Sequence, residues 1–270
     1  PNLQQVPARD PELGPMIRSL FIPEEDSEWY CADYSQQEPR VLIHYACLKD
    51  MSSALQVQKE FCRNDKTDFH QMVANMAGIE RKQAKTINLG LFYGMGNKKL
   101  AAQLGLEQDQ AYELFNQYHN RVPFVRELSR QVSHIAGSRG YIKTLLGRKR
   151  RFDLWEPRDS WGERAYSLSE AYSHYPKQEL KRAYTHTALN ALIQGSSADI
   201  TKSAMIKIYE AGLLDEIDLK LTVHDELDFS VPKDKQKCFE DSLQIMKTCV
   251  DLKVPLTVDV EKGDSWGTIK

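Results

Sequence analysis

This chain of 270 residues has no stretch approaching the roughly 20 consecutive apolar residues that cross a bilayer, and no basic segment followed by an apolar run opens it. Neither a membrane-spanning helix nor a secretory leader is expected. It also has no C-x-x-C pair among Cys31, Cys47, Cys62, Cys238 and Cys249, so the spacing of a zinc site is missing. Their odd number and irregular intervals point to free thiols in a reducing compartment. Internal repeats and low-complexity tracts are lacking. So is a strong charge imbalance, since the formal net charge is −2. A whole-chain sum hides local fields, however. Basic residues cluster at Arg81-Lys82-Gln83-Ala84-Lys85, Lys98-Lys99, Arg148-Lys149-Arg150-Arg151 and Lys181-Arg182, while Glu24-Glu25-Asp26 is acidic. What remains is an ordinary globular composition, 41% hydrophobic and 27% charged, long enough for one large domain or two smaller ones.

Periodicity divides the chain. Its first 15 residues hold four of the eleven prolines and read as an extended arm. Met16–Ile22 and Trp29–Ala32 read as strands separated by a Pro-Glu-Glu-Asp-Ser turn. After Asp33 the apolar spacing becomes helical. Helical patterns dominate from about residue 50 to 135, most strongly over Glu80–Tyr93, which stops at Gly94-Met95-Gly96. Gly140–Leu145 and Lys149–Phe152 form a candidate hairpin across Gly147, and residues 155–180 yield no assignment. A long helix is expected over about 178–211, although Gly195 lies inside it. Leu219–Val223 and Leu227–Val231 alternate apolar and polar residues around His224-Asp225-Glu226, which predicts a hairpin with acidic residues at its tip. A helix over about 233–251 and a strand Pro255–Val260 complete the pattern.

Two features carry chemistry. Asp33 ends an apolar strand and Asp225 sits at the bend of another strand pair, with Glu226 beside it. Carboxylates from two strand ends can hold two magnesium ions about 3.5–4 Å apart, one activating an attacking hydroxyl and one stabilising a leaving pyrophosphate. An aspartate at a strand end is more often a simple turn or helix cap, so this reading needs a substrate site beside it. The second feature supplies one. Arg81, Lys85, Leu89 and Tyr93 recur every four residues, and each step of four drifts by only about 40° around a helix. They form one slanting stripe, cationic at its start and aromatic at its end, suited to a triphosphate and a base. Gly90 would let another group approach this helix closely.

These segments resemble, in order, three motifs of the A-family DNA polymerases, the group of bacterial DNA polymerase I and many phage replicases. Asp33-Tyr34-Ser35-Gln36-Gln37-Glu38-Pro39-Arg40 resembles motif A, Arg81 through Gly94 resembles motif B, and Val223-His224-Asp225-Glu226 resembles motif C. Pro1 through Pro7, Asp68-Phe69-His70, Leu189 through Gly195 and Gly263-Asp264-Ser265-Trp266 resemble further family segments. The resemblance spans nearly the whole chain except about 153–180, and its style is closer to phage polymerases than to bacterial repair enzymes.

The resemblance implies an α+β right-hand fold with an antiparallel palm sheet and helical fingers: residues 1–47 as the first part of the palm, 48–180 as fingers, 181–270 as the second part with motif C. The family's thumb and exonuclease lie before motif A, so the chain is expected to be a palm-and-fingers portion without them. By the same resemblance, Asp33 and Asp225 are the metal ligands, with the Tyr34 carbonyl assisting and Glu226 as auxiliary. The ions are two Mg2+, for which Mn2+ can substitute. Glu38 with Tyr93 excludes a 2′-hydroxyl. Arg81, Lys85 and His70 bind the triphosphate, with Lys85 also the proton donor to pyrophosphate. Arg40, His186, Asn190, Gln194 and His224 contact primer–template DNA. Implied partners are primer–template DNA and dNTPs, and also a processivity factor or helicase, with no membrane.

Departures from the pattern are Gln37 and Pro39 in place of apolar residues, Leu89 where Phe or Tyr is common, His186 where bacterial relatives tend to carry Arg, and a short segment between His70 and Arg81. Two rivals stand beside the polymerase reading: a single-subunit RNA polymerase, against which Glu38 and the Asp225-Glu226 pair speak, and a non-catalytic DNA-binding module, against which the intact acidic and basic sets speak.

Overall fold

A computed structural model of the chain describes residues 6, 10–92, 97–159 and 162–269. In chain order its elements begin with α1 (Leu13–Arg18), β1 (Ser27–Tyr34), α2 (Gln37–Cys47), α3 (Ser52–Arg63), α4 (Phe69–Ala77), α5 (Arg81–Phe92) and α6 (Asn97–Leu104). They continue with α7 (Gln108–Arg121), α8 (Pro123–Arg139), β2 (Tyr141–Lys143), β3 (Lys149–Arg151), β4 (Trp155–Pro157), α9 (Leu168–His174) and β5 (Leu180–Arg182). The last are α10 (Ala188–Glu210), β6 (Asp218–Val223), β7 (Glu226–Pro232), α11 (Gln236–Thr248) and β8 (Val258–Gly263). They form two units, one of Pro1–Arg40 with Ser197–Lys270 and one of Val41–Ser196.

The first unit is built on a four-stranded antiparallel sheet in the order β6-β7-β1-β8. Alternation along β1 sends Tyr30, Ala32 and Tyr34 to one face and Trp29, Cys31 and Asp33 to the other. On the first face, Phe239 of α11 packs against Tyr30 and Phe229, with ring centroids 4.5 and 5.7 Å apart. The Tyr34 hydroxyl donates to the Met246 carbonyl at 2.8 Å. On the second face, Trp29, Cys31, Leu221, Trp266 and Ile269 form a buried layer that Phe21 joins edge-on to Trp266. Each large apolar side chain so covered contributes about 2–3 kcal/mol of transfer free energy.

The hairpin β6–β7 lies where alternation predicts it, closed by a two-residue turn in which His224 adopts φ +57. Met16–Ile22 is a correction: helix α1 replaces the expected strand. Asp10 Oδ1 accepts from the N–H groups of Glu12 and Leu13, and Pro15 falls in the first turn, where its missing N–H has no helical partner to lose. β8 starts later than expected, beyond Pro255, which has no N–H to give a ladder.

The second unit is mainly helical, with α3 through α8 followed by two short hairpins, β2–β3 and β4–β5. The unassigned stretch 155–180 holds β4, part of β5 and α9, whose start is a reciprocal capping box of Ser167 and Glu170. The Arg182 guanidinium lies 4.5 Å from the Trp155 ring centroid. Pairing of Leu180–Arg182 with β4 is why the long helix begins at Ala188 and not near 178. Gly195 has a reason inside it: a Cβ there would lie 2.6 Å from Thr144 Cγ2, and Arg148 donates to the Gly195 carbonyl at 2.7 Å. No helix among the described residues is long and apolar enough to cross a membrane.

Candidate active site

β1 carries Asp33 to the rim of the sheet, directly opposite Glu226 in the antiparallel register. The hairpin turn brings Asp225 alongside, with the Tyr34 N–H donating to the Asp225 carbonyl at 3.3 Å. Beyond β1 the chain turns through Gln36, at φ +52, and enters α2 with Glu38 in its first turn. Gln37, polar where the family pattern is apolar, is buried and donates to Thr201 Oγ1 at 3.3 Å. Asp33, Glu38, Asp225 and Glu226 are all half-buried.

The electrostatics of this rim suit a cation. The Asp225 carboxyl is pushed up to about 7, first by burial and then by the charge of Asp33, with Glu38 and Glu226 adding to it. Every side-chain charge named there is negative. Carboxylates held together at this cost complement a hard divalent ion, which takes oxygen ligands. Asp33 and Asp225 have the donor chemistry for magnesium. The Tyr34 ring is anchored under α11, which leaves its main-chain carbonyl as the group it could offer.

Arg40 is placed differently from its expected DNA contact. It is 0% exposed, and its guanidinium donates to the Ser35 carbonyl, the Pro255 carbonyl and Thr257 Oγ1. It fixes the turn that follows Asp33.

The cationic stripe belongs to the second unit. In α5, Ala84, Ile87 and Asn88 are buried while Arg81 and Lys85 are exposed and Leu89 is half-buried. Tyr93 lies outside the described residues. Gly90 is closely approached, as expected: a Cβ would lie 2.7 Å from Leu100 Cδ1 of α6. Arg81 forms a two-pronged pair with Asp68, through Nε at 2.8 Å and Nη2 at 2.6 Å. Asp68 also caps α4 by accepting from Gln71 N at 3.0 Å.

His70, in the first turn of α4, is joined to α5 by a chain that sequence reading missed. The Tyr118 hydroxyl donates to Asn88 Oδ1 at 2.5 Å, so the Asn88 amide nitrogen faces His70 Nδ1 at 3.1 Å. That amide donates to Nδ1 and leaves the imidazole proton on Nε2. Burial, then Lys85 and Arg81, hold His70 down at about 4 against the opposing pull of Asp68. His70 is therefore a neutral Nε2–H donor at pH 7. Asn88→Ala is expected to remove the partner of Nδ1 and release this tautomer. NMR of the imidazole nitrogens, which separates the two neutral tautomers, checks it.

In α10, Asn190 and Gln194 lie four residues apart, Gln194 exposed and Asn190 half-buried, with no partner at its buried Oδ1 among the described residues. His186 is exposed in the turn before the helix. His224, in the first unit, is exposed at the tip of the β6–β7 turn.

An antiparallel sheet with clustered carboxylates on its rim, and a helical unit carrying His70, Arg81 and Lys85 together, are the features of the right-hand polymerase fold. The chain belongs to DNA polymerase family A, whose family model matches residues 1–268. It is 40% identical to a DNA-directed DNA polymerase of Pseudomonas phage M6, over 99% of this chain and 42% of that relative. It is 33% identical to DNA polymerase I of Rhizobium leguminosarum, over 98% of this chain and 25% of that relative. The chain thus spans less than half the length of either. Among solved structures it resembles the polymerase domain of Pol1 from M. smegmatis, in complex with DNA primer–template and dNTP. The TM-score is 0.79 at 33% identity, covering 100% of this chain and 45% of that one.

Proposed function

We propose that the chain is the catalytic part of a template-directed DNA polymerase that adds dNTPs to a primer 3′-hydroxyl, and that it serves phage DNA replication. The observation that carries this reading is the carboxylate rim, where Asp33, Glu38 and Glu226 all act on Asp225, in a chain of family A. Residues 1–47 and 181–270 are assigned to the palm and 48–180 to the fingers. Primer–template DNA and dNTPs are the proposed partners, with a processivity factor or helicase as further ones.

In the proposed reaction the 3′-hydroxyl gives its proton to solvent water, its oxygen attacks the α-phosphorus, a P–O bond forms, the bond to the β-phosphate bridging oxygen breaks, and pyrophosphate leaves. Asp33 and Asp225, with the Tyr34 carbonyl, would hold two Mg2+ ions, replaceable by Mn2+, which supply the Lewis acidity that activates the hydroxyl and neutralises the leaving group. Arg81 and Lys85 bind phosphate oxygens, so Arg81 exchanges its Asp68 partner for substrate. His70 adds its Nε2–H. Lys85 gives a proton to the pyrophosphate oxygen as the bond breaks. Glu38 and Tyr93 exclude a ribose 2′-hydroxyl. Asn190, Gln194, His186 and His224 contact the duplex, and Arg40 acts on the primer strand through the turn it fixes.

Comparing dNTP with rNTP incorporation separates this from the RNA-polymerase reading: dNTPs are expected to be strongly preferred, and equal use would contradict it. Leu89 offers an aliphatic surface where a ring would stack, so Leu89→Phe is expected to change selectivity against 3′-modified nucleotides severalfold, on the scale of one aromatic contact of about 1 kcal/mol. Equal selectivity in competition assays would remove Leu89 from the nucleotide site.

A further inference from the structure

Asp228 lies two residues beyond Glu226 on the same face of β7 and is 0% exposed. The Trp29 indole N–H donates to its Oδ1 at 3.3 Å. Among the described residues no N–H or hydroxyl donor reaches its Oδ2. The Cys31 thiol, opposite it in the register, is a weak donor at most. An ionised carboxylate in this layer would be a buried charge without a cation, at a cost of several kcal/mol. Carrying a proton, Asp228 becomes a donor, and Glu226 is the acceptor within reach. The carboxyl oxygens of the two, with Cys31 Sγ, lie within 4.8 Å of one another. Burial, with the charge of Glu226 and a hydrogen bond to it, pushes Asp228 up to about 8. From its other side Glu226 accepts from Trp266 Nε1 at 3.3 Å. Both indoles that end this chain are 1% exposed and packed in the same apolar layer.

We infer that Asp228 is a positioning residue for nucleotide addition: its hydrogen bond to Glu226, backed by Trp29 and Trp266, fixes the Glu226 carboxylate beside Asp33 and Asp225. The inference rests on the polymerase reading above. Glu226 is the residue through which it acts, since it pairs with Asp33 across the strands and adjoins Asp225 in the chain. Cys31, Glu226 and Asp228 could also be taken as a metal triad. The two indole N–H groups already aimed at the carboxyl oxygens speak against a cation there, because a cation would need those oxygens.

The test compares Asp228→Val and Asp228→Asn with wild type in single-nucleotide primer extension, alone and in a Glu226→Gln background. Valine fits a buried strand position but cannot donate. It is expected to lower kcat about tenfold at unchanged KM for dNTP, as loss of a partner that orients an active-site carboxylate does. Asparagine keeps an acceptor for Trp29 and an N–H for Glu226, and is expected to restore activity close to wild type. In the Glu226→Gln background, Asp228→Val is expected to add no further loss. Wild-type behaviour of the valine variant would overturn the inference. So would an asparagine variant as impaired as valine, which would indicate a required charge or a metal ligand, or strictly additive losses in the double mutant. The same double-mutant cycle read by denaturant unfolding checks the hydrogen bond without polymerase activity: coupling supports it and additivity contradicts it. An inactive wild type would instead sink the polymerase reading itself.

Discussion

Asp225→Asn is expected to reduce nucleotide addition by about a thousandfold or more while leaving primer–template affinity near wild type, because an amide is a poor ligand for the ions that carry the charge of phosphoryl transfer. The same substitution should make the metal-free protein more stable at alkaline pH. The sign follows from burial and repulsion. Folding raises the Asp225 carboxyl from 3.8 to about 7, so in that window the folded state binds more protons than the unfolded one. Stability of the metal-free wild type therefore falls as pH rises from about 4 to 7, and the full penalty persists above 7. Asparagine carries no charge and escapes it. In EDTA at pH 8 the variant is expected to gain on the order of 2 kcal/mol, after allowance for partial solvation of the turn, and at pH 4 the advantage should vanish. Saturating magnesium should stabilise wild type and not the variant. Denaturant unfolding with and without EDTA measures each arm. A variant less stable than wild type in EDTA at pH 8 would show that Asp225 supports the turn more than it strains it.

Arg40→Ala is expected to lower stability by about 3 kcal/mol, and Arg40→Lys by nearly as much. Three acceptors on two chain segments, Ser35 O, Pro255 O and Thr257 Oγ1, depend on one buried planar guanidinium. Truncation takes that donor from all three part-buried acceptors at once and leaves a cavity where the guanidinium was. An ammonium is a point charge and does not span three acceptors in a fork. Reduced DNA affinity should follow only as far as the turn after Asp33 loosens, so a lower folded fraction should account for the loss. A stably folded Arg40→Ala with selectively weakened primer binding would restore the direct contact that the family resemblance implied.

These two positions also show what sequence could and could not reveal. Asp225 was legible because apolar alternation on both sides of His224-Asp225 has only one folded outcome, a hairpin with its tip at the acidic pair. The stripe on α5 was legible because a four-residue period places Arg81, Lys85 and Leu89 together on any helix. Arg40 was not, since nothing local distinguishes an arginine pointing outward from one threaded beneath a turn formed more than two hundred residues later. Shorter separations, of 30 and 18 residues, hid the Tyr118–Asn88–His70 chain in the same way. The polar positions of the alternation along β7, Asp228 and Ser230, are both buried, beside Trp29 of β1 in the face that Trp266 and Phe21 cover. β4 and β5, three residues each, are too short for any period to register. Helix α1 depended on Asp10 capping it, a signal outweighed by the apolar run Met16–Ile22.

Extension of a labelled primer on a template with dNTPs, across a magnesium titration, beside Asp33→Ala, tests the central claim most directly. Wild type is expected to add the templated nucleotide only when a divalent ion is present, with Mn2+ able to replace Mg2+, and Asp33→Ala to add none while still binding the duplex. Metal-independent extension, or an Asp33→Ala variant as active as wild type, would contradict the assignment of Asp33 and Asp225 as the metal-holding pair.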